Sequence, residues 1–208
     1  MTQKAYFDSD ETETTAALTD CYQEDGKILA ILERTIFHPQ GGGQPCDTGW
    51  IGAARVLQVL QLAEQIIHVI DAPVAKGPCV LRVDAERRML HARLHTAGHL
   101  IGNIGMSFGY SPVKAHHWPG EGKISFNMEN GASAVGIADF QELADQLVAE
   151  NLPRITGIAN GLRTVGFGNL HAFACGGTHV TGLKQLGTIL ITAVKQKKGQ
   201  LSVCYDLI

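Results

Sequence analysis

The hydrophobic period of this chain changes once, near residue 84, and that change limits the fold more than any other feature. Between residues 28 and 83 the apolar residues fall in short runs, 28–32, 56–60, 66–70 and 80–83, broken by Gly, Pro or charged residues. Such runs predict short strands in a small sheet or barrel. Beyond them Leu90, Leu94, Ala97, Ile101 and Ile104 are spaced 4, 3, 4, 3, which is one face of a helix beginning near Glu86. A second amphipathic helix fits residues 137–151, with Ile137, Phe140, Leu143, Ala144, Leu147 and Val148 on one side and Pro153 beyond its end. From Arg154 onward strands and Gly-rich turns return. This order predicts an α+β protein: a β-barrel-like domain over 1–85, then an α+β domain over 86–208 with helices on an antiparallel sheet.

Composition sets the outer limits. With 208 residues, 45% hydrophobic and 18% charged, the chain can bury one large core or two small ones, which excludes a disordered chain. No apolar stretch approaches the roughly 18 residues of a membrane span. The opening residues turn acidic at once, without a basic segment leading into a hydrophobic one, so a cytoplasmic location is expected. Five scattered cysteines, Cys21, Cys46, Cys79, Cys175 and Cys204, argue against a disulfide scaffold and for a metal ligand or nucleophile among them.

The formal charge of −3 conceals a gradient. Residues 1–25 hold seven acids and one lysine, whereas residues 151–208 hold six bases and one acid. The densest cluster, Lys195-Gln196-Lys197-Lys198-Gly199, lies between two apolar runs and reads as a hairpin with ammonium groups at its tip. It is either a solvated turn or a phosphate contact.

Two clusters carry the chemistry. His91, His95 and His99 stand at i, i+4 and i+8, a stripe on the edge of the buried helix face. His91 and His99 are about 12 Å apart along the axis, so one ion can use only one neighbouring pair. Far downstream, Cys175-Gly176-Gly177-Thr178-His179 separates a thiol from an imidazole by three residues, two of them glycines that let the backbone bend both toward one point. Sulfur with imidazole suits Zn²⁺ better than Mg²⁺ or Ca²⁺, and two such pairs fill a tetrahedron. A Cys/His nucleophilic pair lacks an identifiable orienting residue, and no His-Glu-x-x-His is present. The run from His38 to Gly49, with Gly41-Gly42-Gly43-Gln44, is neither a phosphate loop nor Gly-x-Gly-x-x-Gly; it reads as a tight turn, or as one that aims Gln44 at a site.

His95-Thr96-Ala97-Gly98-His99-Leu100 followed by Cys175-Gly176-Gly177-Thr178-His179-Val180 resembles the editing domain of alanyl-tRNA synthetase and its free-standing AlaX-type relatives. The Gly-Gly-Gly-Gln-Pro-x-Asp-x-Gly run at 41–49 is similar to that family's glycine motif, and Lys197-Lys198-Gly199 with the closing strand also matches. The β portion and the lack of a long C-terminal extension are similar to the medium-length form; Ala174 departs from the family's frequent Pro.

The resemblance implies zinc ligands at His95, His99, Cys175 and His179. It also implies ATP-independent hydrolysis of the ester between a wrong amino acid, mainly serine and sometimes glycine, and tRNA(Ala). A synthetase pocket for alanine discriminates poorly against smaller glycine or one added hydroxyl, so a second hydrolytic site is needed. The expected site is a cleft between the two domains, with Gln44 contacting the aminoacyl group or attacking water and Thr96 lining the pocket. Lys195, Lys197 and Lys198 are expected to meet tRNA phosphates, and Trp118 in His116-His117-Trp118 to stack on terminal bases. A non-catalytic RNA-binding module with a structural zinc is the alternative.

Overall fold

A computed structural model describes residues 1–197 and 199–208, so the expectation for Lys198 lies outside the described residues. The chain divides into two units, Met1–Gly41 with Pro45–Met89, and Gly42–Gln44 with Leu90–Ile208. Among the described residues no helix is long and apolar enough to cross a membrane.

In the first unit, β1 (Gln3–Lys4) pairs in parallel with β4 (Arg34–Thr35). Six strands form a ring: β2 (Glu13–Glu24), β3 (Lys27–Leu32), β7 (Gln65–Ile70), β6 (Ala54–Leu62), β5 (Gly49–Ile51) and β8 (Gly77–Val83), with β8 pairing back to β2. The four expected runs are β3, β6, β7 and β8. Strand β2 was not expected, because most of its exposed residues are polar, Glu13, Thr15, Thr19, Gln23 and Glu24, and only Ala16 and Leu18 are buried. Its hairpin with β3 turns on Asp25 and Gly26, both at positive φ, the conformation a two-residue hairpin loop requires. Leu18, Ala30, Leu32, Ile51, Val56, Val59, Ile66, Ile70 and Leu81 fill the interior.

The Asp of the glycine motif has a structural task in this unit. Asp47 is fully buried and accepts from the Arg88 guanidinium through both oxygens and from the His38 N–H at 2.6 Å. Arg88 also donates to the Ile36 carbonyl at 2.6 Å. A buried pair of this kind persists only when its remaining donors and acceptors are also satisfied, as they are here. Gly49 follows at φ 151°, where a Cβ would lie 2.1 Å from the Arg82 carbonyl oxygen.

In the second unit, α1 (Ala85–Ser107, its first residues grouped with the first unit) and α2 (Ile137–Glu150) share a core with a four-stranded antiparallel sheet. Its strands are β9 (Tyr110–His116), β10 (Gly122–Met128), β14 (Ile189–Lys197) and β15 (Gln200–Leu207), in the order β14-β15-β10-β9. A smaller sheet joins β11 (Arg154–Ala159), β12 (Leu162–Phe167) and β13 (Phe173–Ala174). Leu94, Ala97, Leu100, Ile101 and Ile104 of α1 meet Phe140 and Ala144 of α2 and Ile124, Phe126, Leu201, Val203 and Tyr205 of the sheet. Two expected core positions are corrected. Leu90 is partly exposed, because the buried side of the first turns is Arg88, His91 and Ala92; Ile137, the first residue of α2, is also exposed. The lysine hairpin forms, but Lys195 and Lys197 are exposed residues of β14 rather than of the turn.

Candidate metal centre

His95 and His99 sit one turn apart on α1, both buried, and the bend after β13 carries Cys175 and His179. One potential ligand atom from each of the four lies within 4.8 Å of the others. Cys175 Sγ is 3.4 Å from His95 Nε2 and 3.2 Å from His179 Nε2. A tetrahedral zinc with bonds of about 2.3 Å to sulfur and about 2.0 Å to nitrogen has S···N edges of about 3.5 Å, so the spacing fits that ion. His91, the third member of the helix stripe, is buried but outside this group.

The bend is shaped for close approach. A Cβ on Gly177 would lie 2.2 Å from His95 Cε1, so only glycine lets that ring in. The Gly177 N–H donates to Cys175 Sγ at 3.3 Å. Arg163 Nη1 of β12 donates to the carbonyls of Cys175 and Gly177, at 3.0 and 3.1 Å, and Arg154 Nη1 of β11 to that of His179 at 2.7 Å. Neither arginine was anticipated, since no spacing rule ties them to the bend.

Gln44 and Thr96 stand behind the ligands. The Gln44 carbonyl accepts from the Thr178 N–H at 3.1 Å and from His95 Nδ1 at 2.7 Å, while its amide donates to Thr178 Oγ1 at 2.8 Å. His95 therefore carries its proton on Nδ1 and turns the lone pair of Nε2 toward the sulfur. Thr96 Oγ1 accepts from the Val180 N–H at 3.3 Å and lies 3.0 Å from His179 Nδ1, which holds the His179 ring in place. Both residues are fully buried and bond to two of the candidate ligand histidines and to the bend.

Electrostatics describe a site that wants a cation. Burial pushes His99 down to about 4, with the Val165 backbone opposing and Arg163 adding to the shift. Burial, then the neighbouring rings and arginines, hold His179 well below the usual imidazole range. These rings are neutral donors at pH 7. Burial raises the Cys175 thiol against the opposing pull of the Gly177 N–H and Arg163; a bound divalent ion reverses that balance and takes the thiolate. Two neutral imidazoles, a third with a fixed tautomer and a buried thiol fit zinc.

No family model matches the chain. Its alignment with the alanyl-tRNA editing protein AlaX-M of Methanosarcina barkeri covers 95% of both chains at 27% identity. The chain is thus similar from end to end to an AlaX-type alanyl-tRNA editing protein. It is also 29% identical to the alanyl-tRNA editing protein Aarsd1 of Mus musculus over 81% of its own length, and 28% identical to the alanine–tRNA ligase of Methanopyrus kandleri over 91%. It spans 46% of the former and 24% of the latter, so these longer relatives contain an AlaX-like portion among others.

The four-residue cluster opens on a cavity of about 260 Å³ whose lining includes His95, His99, Cys175, Lys114, His117 and Phe173. His117 went unrecognised within the His116-His117-Trp118 run. In extended chain neighbours point to opposite faces, and here His117 is buried while His116 stacks on the half-exposed Trp118 at 5.7 Å, interplanar angle 8°. Trp118 is thus placed where an outside ring could reach it. The His117 ring stacks on His95 at 4.3 Å, and burial, with His99 and His116 contributing, pushes its pKa down to about 3.

Proposed function

We propose that this chain is a zinc-dependent trans-editing hydrolase that cleaves the ester of mischarged tRNA(Ala), foremost Ser-tRNA(Ala) and also Gly-tRNA(Ala). The observation that carries the reading is the convergence of His95, His99, Cys175 and His179 in a chain that aligns end to end with an alanyl-tRNA editing protein. In this reading residues 1–85 are a small β-barrel-like domain, residues 86–208 the editing domain, and the protein acts in the cytoplasm without ATP.

His95, His99, Cys175 and His179 hold the zinc. When bound, it supplies Lewis acidity, either to an ester carbonyl or to a water whose pKa it lowers. Gln44 and Thr96 act through the ligands: the Gln44 carbonyl holds the Nδ1–H of His95, and Thr96 orients the His179 ring, so that both turn Nε2 toward the ion. Arg163 and Arg154 keep the bend from relaxing when the metal leaves. Lys195 and Lys197 meet tRNA phosphates and Trp118 stacks on an unpaired base; the family match extends the phosphate role to Lys198. The cavity beside the cluster receives the aminoacyl group.

One observation favours a second reading. All four donors come from the protein, and a filled tetrahedron is characteristic of structural zinc, so a non-catalytic RNA-binding module is the competing function. Deacylation of Ser-tRNA(Ala) separates the two. Zinc-loaded protein releases serine, and Cys175→Ala and His99→Ala abolish release while circular dichroism reports whether each variant keeps its fold. If zinc-loaded protein binds the tRNA and leaves the ester intact, the RNA-binding module is correct.

A further inference from the structure

His117 lines the same cavity as the ligand cluster but is not among the four donors. Its Nδ1 is 2.6 Å from the Tyr205 hydroxyl, and that hydroxyl donates to the Leu94 carbonyl at 3.0 Å. With its one proton committed to Leu94, the Tyr205 oxygen accepts, so the His117 proton sits on Nδ1 and the lone pair on Nε2. Among the described residues, Nε2 takes part in no hydrogen bond, although the residue is 1% exposed.

The ring is also locked. It stacks on His95, and a Cβ on Gly98 of α1 would lie 2.3 Å from its Cε1, so the helix surface beneath it is open only because residue 98 is glycine. The His117 N–H donates to the Gly43 carbonyl at 2.9 Å. Much of the remaining cavity wall is apolar or glycine: Pro112, Ile124, Phe173, Gly98, Gly102 and Gly176. The result is a fixed, unpaired imidazole acceptor on a largely apolar wall, where the charged side chain outside the candidate ligand cluster, Lys114, is a donor and cannot accept the proton of a hydroxyl.

We propose that His117 is the specificity-determining residue of this cavity, its Nε2 accepting a hydrogen bond from the hydroxyl by which a seryl group differs from an alanyl group. The proposal rests on the editing function above. An alanyl methyl in the same place buries the lone pair without a partner, and a site built to bond a hydroxyl rejects the analogue that lacks it more strongly than any steric wall does. Tyr205 is then a positioning residue: it selects the tautomer and never touches the acyl group.

The test compares kcat/KM for Ser-tRNA(Ala) and Ala-tRNA(Ala), with zinc content measured for every protein. His117→Phe keeps the stacked ring without the acceptor, and the Ser:Ala ratio falls about 10-fold, the worth of one hydrogen bond of about 1.4 kcal/mol. Tyr205→Phe leaves His117 and the four donors in place but frees the tautomer, and lowers the ratio by a smaller factor; it decides the matter if His117→Phe loses zinc. A wild-type ratio in zinc-replete variants overturns the proposal. A binding measurement keeps it separable from the hydrolytic reading. With a non-hydrolysable seryl 3′-amide analogue, the ¹⁵N resonance of His117 Nε2 moves, while the alanyl analogue leaves it in place; equal responses sink the proposal. A wild type that hydrolyses neither ester counts against the editing function instead.

Discussion

At the residue scale, Gln44 bonds both a candidate ligand histidine and the bend that carries Cys175 and His179. Its carbonyl is the acceptor that keeps the His95 proton on Nδ1, so its loss lets His95 turn or change tautomer. Gln44→Ala is expected to weaken zinc binding by about 10- to 100-fold, the usual cost of removing the partner of a ligating histidine, as read by competition with a chromophoric chelator. Unchanged affinity would return Gln44 to the role of contacting the acyl group or water. A second buried imidazole gives a prediction far from the metal donors in sequence. His68 is fully buried in the first unit, bonded to Thr35 Oγ1 at 2.9 Å and the Ala30 carbonyl at 3.1 Å, and burial pushes it down to about 4 against the pull of that carbonyl. The folded state therefore binds this proton less readily than the unfolded state, whose histidine titrates near 6.5. The benefit is fully present above about pH 6.5 and is lost as pH falls toward about 4, by up to about 3 kcal/mol. Urea denaturation at pH 7, 5.5 and 4.5 checks it: the stability gap between wild type and His68→Gln narrows across that window, and parallel curves would contradict the assignment.

At the element scale, the β14–β15 hairpin is where charge and fold meet. Lys195 pairs with Ser202, and Ser202 in turn with Ser125 and Ser125 with Lys114, so one row across the four-stranded sheet begins and ends in an exposed lysine. The opposite face of the sheet carries Leu201, Val203 and Tyr205 into the core. Replacing Lys195 and Lys197 together by Gln is expected to weaken tRNA binding and to reduce the slope of log K against log salt by about 2, roughly one for each phosphate that the variant no longer neutralises. Filter binding at several salt concentrations reads both, and an unaltered slope would leave the hairpin a solvated surface. The same scale shows what the sequence made legible. Period alone located α1, α2 and the apolar strands, because their buried faces repeat at 3.6 or 2 residues. It missed β2, whose mostly polar exposed residues mask two buried apolar ones. It also misplaced Leu90 and Ile137, since a stripe does not tell where the core it faces begins. Spacing alone pointed to the two halves of the candidate ligand group but left His91–His95 and His95–His99 equally open; the family resemblance chose His99. His117, Arg154 and Arg163 were not legible, since each reaches the site by strand pairing that brings distant residues together, and no local spacing records that.

At the scale of the whole molecule, the two units carry separate cores, and all four candidate metal donors belong to the second. These candidate donors come from α1 and from a bend 76 residues beyond His99, so an ion bound there would close a long loop in addition to filling a buried polar site. An ion that binds only the folded state stabilises it by RT ln(1 + [L]/Kd), about 4 kcal/mol at a thousandfold excess over Kd. Chelation is therefore expected to lower the unfolding transition of the second unit by several degrees and to leave that of the first nearly where it was. Calorimetry with and without a chelator resolves this, and Trp50 and Trp118, one in each unit, give the fluorescence counterpart. Cys175→Ala should reproduce the chelated transition and lose its response to added zinc. If chelation instead shifts both transitions equally, the units unfold as one; if it shifts neither, the four donors hold their arrangement through Gln44, Thr96, Arg154 and Arg163 alone.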